Sequence, residues 1–139
     1  YSPDDFKLFL NNQIAYYKQT GQISTLISVK LDEIAEKAKL LSINQLANAI
    51  RLSIDKKDKI CVLRSMVLIL FTKEDKDASS FIPLLLNNLF ETSPQYLNKI
   101  KQYISLNSIK MNKGTHNAEE MFKQLLAADI PDEDKISNN

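Results

Sequence analysis

The chain has 139 residues, 44% hydrophobic and 25% charged, with 18 basic side chains against 17 acidic. That length fits one domain able to bury about two-thirds of its unfolded surface, and the hydrophobic content excludes disorder for most of it. A net charge of +1 leaves no global field to steer nucleic acid, and only Arg51 and Arg64 among the basic residues are arginines.

Two further counts narrow the function classes. The single cysteine, Cys61, cannot form an internal disulfide, and no Asn-x-Ser/Thr sequon occurs, so an intracellular protein, cytoplasmic or nuclear, is expected. No apolar run reaches the roughly 18 residues of a membrane span. Gly21 and Gly114 are the only glycines. Glycine lets a backbone close on a phosphate, adopt positive φ or turn a tight hairpin, so a phosphate-cradling loop and a dinucleotide fingerprint are not expected. A start at Tyr1 rather than methionine suggests a piece of a longer protein or a processed form.

Ser2-Pro3-Asp4-Asp5 reads as a helix start: a serine cap, proline in the first turn, then carboxylates at the positive end of the dipole. The helix carries Phe6, Phe9, Leu10, Ile14 and Tyr17 on one face and ends at Thr20-Gly21. A second helix is predicted over 23–41, with Ile23, Ile27, Leu31, Ile34, Ala35, Ala38 and Leu41 as its stripe and Glu33–Lys37 as an i,i+4 pair. Ser42-Ile43-Asn44-Gln45 matches a capping box and opens a third helix to Ile54. The apolar run Ile60–Phe71 predicts a buried helix, because no second β-rich run is evident to pair with it as a strand.

Further helices are predicted over 79–91, 94–106 and about 117–128, with Ser93-Pro94 repeating the opening device. The expectation is therefore an all-α compact domain of six to seven helices over 1–130, followed by an acidic, disordered tail over 131–139. The helices would form an irregular bundle or stacked HEAT-like hairpins; the pairs 23–41/43–54, 59–72/79–91 and 94–106/117–128 have the size of such units.

Candidate chemistry is sparse. Cys61 and His116 are the only residues of their kinds, and Cys61 reads as a small apolar residue in a greasy segment, so no nucleophilic pair is expected. The chain offers no conventional zinc set, and its acidic clusters lack the order of a calcium loop, so neither metal nor cofactor is expected. Partner-binding candidates are Tyr16, off the first helix's apolar stripe, and Arg64, a charge inside the apolar run. The others are Lys99, Lys101, Tyr103, Lys110 and Lys113, in a stretch from Gln95 to Asn117 with no acidic residue.

These features predict a non-enzymatic interaction or adaptor domain of a larger protein, holding a peptide or neighbouring domain in a groove or on an apolar helix face. The alternative is an RNA- or anionic-lipid-associated helical domain using the lysines of 99–113. Neither takes a small-molecule substrate.

Overall fold

In a computed structural model of the chain, residues 1–72, 83–85, 87–88 and 100–126 are described. Helix α1 (Pro3–Thr20) begins as its sequence dictates. The Ser2 hydroxyl accepts the Asp5 N–H at 3.2 Å, and Gly21 closes the helix in the left-handed region at φ 78°. Strand β1 (Thr25–Leu31) follows, then the short helix α2 (Glu33–Lys37), capped by Asp32, and helix α3 (Ile43–Ser53). The Ser42/Gln45 capping box of α3 is formed in both directions. Strands β2 (Lys59–Val62) and β3 (Met66–Phe71) make a hairpin, β4 (Ile104–Lys110) completes the sheet, and helix α4 covers 118–126. Residues 83–85, 87–88 and 100–101 are helical.

The four strands form one antiparallel sheet in the order β2-β3-β1-β4. Its two faces carry separate cores. Ile27, Val29, Leu31, Ile60, Val67, Ile69 and Phe71 meet α2, α3, Leu85 and Ile100 on one side. Leu26, Cys61, Met66, Leu68 and Leu70 meet Phe6, Leu10 and Ile14 of α1 and Ala118, Met121 and Leu125 of α4 on the other. The architecture is helix, sheet, helix in three layers.

The all-α expectation is thus overturned, and with it both the bundle and the HEAT-like hairpins. The stretch 23–41 is a central strand followed by five helical residues, and Ile60–Phe71 is a hairpin whose turn contains Arg64 and Ser65. The physical reason is burial on both faces: such a strand reads as a near-continuous apolar run, which periodicity alone does not separate from a buried helix. Thr25, Ile27 and Val29 are β-branched, which suits a pleated strand better than a helix. Positions 104–106 of the predicted 94–106 helix lie in β4. Most of the predicted 79–91 helix, residues 94–99 of the predicted 94–106 helix, and the predicted tail 131–139 fall outside the described residues.

Turns in this fold are made almost without glycine. The α2 C-terminus is a Schellman motif, in which Leu40 N–H donates to Ala35 and Lys39 N–H to Glu36. Its left-handed position is filled by Lys39 at φ 58°, the one non-glycine residue with positive φ among those described. Lys39→Gly is therefore expected to stabilise the protein by roughly 0.5–1 kcal/mol, read as a higher urea midpoint at unchanged slope.

α1 and α4 are stitched together by polar contacts. Asn11 Oδ1 accepts the Ala118 N–H at 2.8 Å, so a side chain of one helix satisfies the first turn of the other. The Lys7 ammonium donates to Glu119 at 2.6 Å and lies 5.2 Å from the Phe122 ring centre. That hydrogen bond holds the Glu119 carboxyl below its ordinary range and the Lys7 ammonium above its own. The exposed pair therefore contributes across neutral pH and is lost as pH falls through the Glu119 value or rises through that of Lys7. Asn11→Ala is expected to cost about 1 kcal/mol, seen as faster amide exchange at the start of α4.

Candidate functional site

One end of the sheet carries several of the charged and polar residues. There the end of β1, the β2–β3 turn and the residues before β4 are tied by backbone hydrogen bonds. Leu31 N–H donates to the Ser65 carbonyl at 2.9 Å, Asp32 N–H to the Tyr103 carbonyl at 2.8 Å, and Leu63 N–H to the Met66 carbonyl at 2.7 Å. These fix the positions of Arg64, exposed on the turn, Lys101, exposed before β4, and Lys30, partly buried near the end of β1. Two carboxylates share this end. Asp32 Oδ1 accepts the Ile34 N–H at 3.0 Å as the cap of α2, and Glu33 lies 3.7 Å from Lys37. Ile34 is exposed and Tyr103 partly buried beside them.

Arg64, Lys101 and Tyr103 are therefore brought to one rim by the topology. Lys110 and Lys113 are not: Lys110 lies six positions along β4 from Ile104, about 20 Å of strand. Tyr16 is exposed on α1, and Lys99 falls outside the described residues. Cys61 and His116 do not meet, since Cys61 lies on the edge strand β2 and His116 in the connection after β4 at the opposite edge. Burial pushes the Cys61 thiol up, away from thiolate chemistry. Among the described residues no three His, Cys, Asp or Glu side chains gather into a group able to hold a metal, and no helix is long and apolar enough to cross a membrane.

Sequence reading missed Ser28, Lys30 and Ser105, because a helical reading of 23–41 scatters the residues that a strand aligns. The alternation of β1 puts Ser24, Leu26, Ser28 and Lys30 on one face, opposite Ile109, Asn107 and Ser105 of β4. A polar pair at every second position inside an apolar run was the available signal.

A three-layer α/β domain with an antiparallel sheet is the class this fold defines. Among solved structures, it is similar to the GGDEF domain of PA1120 (YfiN or TpbB) from Pseudomonas aeruginosa. The TM-score is 0.55 at 14% identity, over 85% of this chain and 79% of that one. A shortened form of the same protein, comprising only the GGDEF domain, gives 0.52 at 14% identity, over 78% and 69%. No protein-family model matches the chain, and no curated protein matches it either. The likeness is one of fold. The domain's name spells Gly-Gly-Asp-Glu-Phe in one-letter code, and that string does not occur here, where Gly21 and Gly114 stand far apart.

The likeness corrects the functional expectation as well. The non-enzymatic adaptor expectation rests on an all-helical scaffold, and the three-layer α/β fold, similar to that of the GGDEF domains, overturns it. The alternative of a helical RNA- or lipid-associated domain loses its scaffold in the same way.

Proposed function

We propose that this chain is a nucleotide-binding domain of GGDEF-like fold that takes a guanine nucleotide at the sheet end formed by β1, the β2–β3 turn and the start of β4. The observation that carries the reading is the placement of Lys30, Arg64 and Lys101 at one end of the sheet, whose backbone is tied by the Leu31–Ser65 and Asp32–Tyr103 hydrogen bonds. Polyphosphate needs charge-assisted donors, and an arginine fork with two ammonium groups supplies them. Exposed Ile34 and partly buried Tyr103 lie at the same end of the sheet and offer apolar surface for a base. The guanine choice is supported by the fold, since a diguanylate cyclase by its name joins guanylate units. This departs from the expectation that no small molecule is taken. An intracellular setting goes with it, because nucleoside triphosphates are held inside cells.

Calorimetric titration of the whole chain with GTP and with cyclic diguanylate tests the reading. Saturable binding of either is expected, weakened roughly tenfold by Arg64→Ala and falling with added salt. No saturable heat with either ligand at millimolar concentration would overturn it. Chromatography of GTP incubated with the protein and magnesium reads turnover separately from binding.

A further inference from the structure

Ser28 is fully buried, and its hydroxyl has no hydrogen-bond partner. A buried hydroxyl left unpaired destabilises the folded protein, and alanine at the same place would not. Its surroundings are equally unusual. The face of the sheet that packs on α1 and α4 is apolar over Leu26, Cys61, Met66, Leu68 and Leu70. Into it is set a polar patch, with Ser28 opposite Asn107 and Lys30 opposite Ser105 across the β1–β4 ladder. Lys30 and Ser105 are partly buried. Among the described residues no carboxylate lies within ion-pair distance of Lys30.

We infer that Ser28 and Lys30 of β1, with Ser105 of β4, form an oxyanion seat that holds a phosphoryl group through hydroxyl and ammonium donors. Residues two apart on one strand face are about 6.8 Å apart. A tetrahedral phosphoryl group bridges that span by accepting a hydrogen bond of about 2.8 Å on each side. Directly opposed residues on β1 and β4 are closer, about 5 Å, so the Ser105 hydroxyl reaches the same group. Lys30, at the outer end of the seat, lies beside the β2–β3 turn that carries Arg64, because Lys30 pairs with Met66 and Leu31 N–H donates to Ser65. A phosphoryl group there supplies the acceptor that Ser28 lacks and a counter-charge for Lys30, which has none among the described residues. The identity of the rest of the ligand rests on the proposed nucleotide reading; the seat itself requires only an oxyanion.

Inorganic pyrophosphate and GTP are the probes, titrated into the whole chain by calorimetry without divalent metal and compared by thermal melting. Ser28→Ala is expected to melt higher than the parent without ligand, yet to bind both probes roughly tenfold more weakly. Lys30→Met is expected to lose at least as much affinity. A Ser28→Ala protein that melts higher and binds both probes with parental affinity overturns the seat. So does parental affinity in Ser105→Ala, the variant that decides the matter if the two β1 substitutions fail to fold. Pyrophosphate binding that depends on Ser28 and Lys30 without any GTP binding supports the seat and removes the nucleotide reading. GTP binding that depends on Arg64 and not on Lys30 or Ser105 does the reverse. Absence of binding by either probe overturns both.

Discussion

Leu68→Ala and Ile69→Ala are each expected to lower the unfolding free energy by about 2–5 kcal/mol, although the two side chains point in opposite directions. Leu68 is 2% exposed and belongs to the core under α1 and α4; Ile69 is 0% exposed and belongs to the core under α3. Strand β3 lies inside the sheet, paired with β2 on one side and β1 on the other, so neither face nor edge is left to water. Each truncation opens a cavity in a different layer, and adjacent positions share no relaxation route. Urea unfolding monitored by circular dichroism reads both losses. A cost below about 1 kcal/mol at either position would mean that one face of β3 is solvated, contrary to the three-layer arrangement.

The same two-sided burial explains what was legible in the sequence and what was not. Helix ends were legible because capping is local: Ser2 with Pro3 and Asp5, Gly21, and the Ser42/Gln45 box each act within four residues of themselves. Strand identity was not, because it depends on partners far along the chain. Thr25 pairs with Phe71 and with Lys110, and nothing near Thr25 announces either. The scarcity of glycine argued against hairpins, yet the β2–β3 turn passes through Leu63, Arg64 and Ser65 without a positive φ. Its backbone groups are instead drawn into the sheet, Leu63 to Met66 and Ser65 to Leu31. Arg64 was visible as a charge in an apolar run, but its meaning changed with the fold, from a residue of a buried helix to one in a turn at a sheet end. Lys30 and Ser28 gained theirs only when β1 became a strand, since alternation brings them to one face.

Asp58→Ala is the second large effect, expected to cost about 2–3 kcal/mol by removing a buried acceptor that serves two backbone donors. Asp58 is 7% exposed, and its two carboxylate oxygens divide the work. Oδ2 accepts the Asp55 N–H at 3.2 Å, closing the turn that leads into β2, and Oδ1 accepts the Thr72 N–H at 3.2 Å, just past the end of β3. One side chain thus joins the two open ends of the hairpin, where β2 starts and β3 finishes. Alanine leaves both N–H groups without that acceptor at the open end of β2, an edge strand of four residues paired on one side only. Asp58→Asn separates the contributions. Its single carbonyl oxygen satisfies one donor while its amide nitrogen opposes the other, so a loss between those of the parent and Asp58→Ala is expected. Amide exchange at Thr72 and Asp55 shows which donor is freed. Equal stability of all three proteins would mean that the hairpin register is set by the Lys59–Val62 pairing with β3 and not by Asp58.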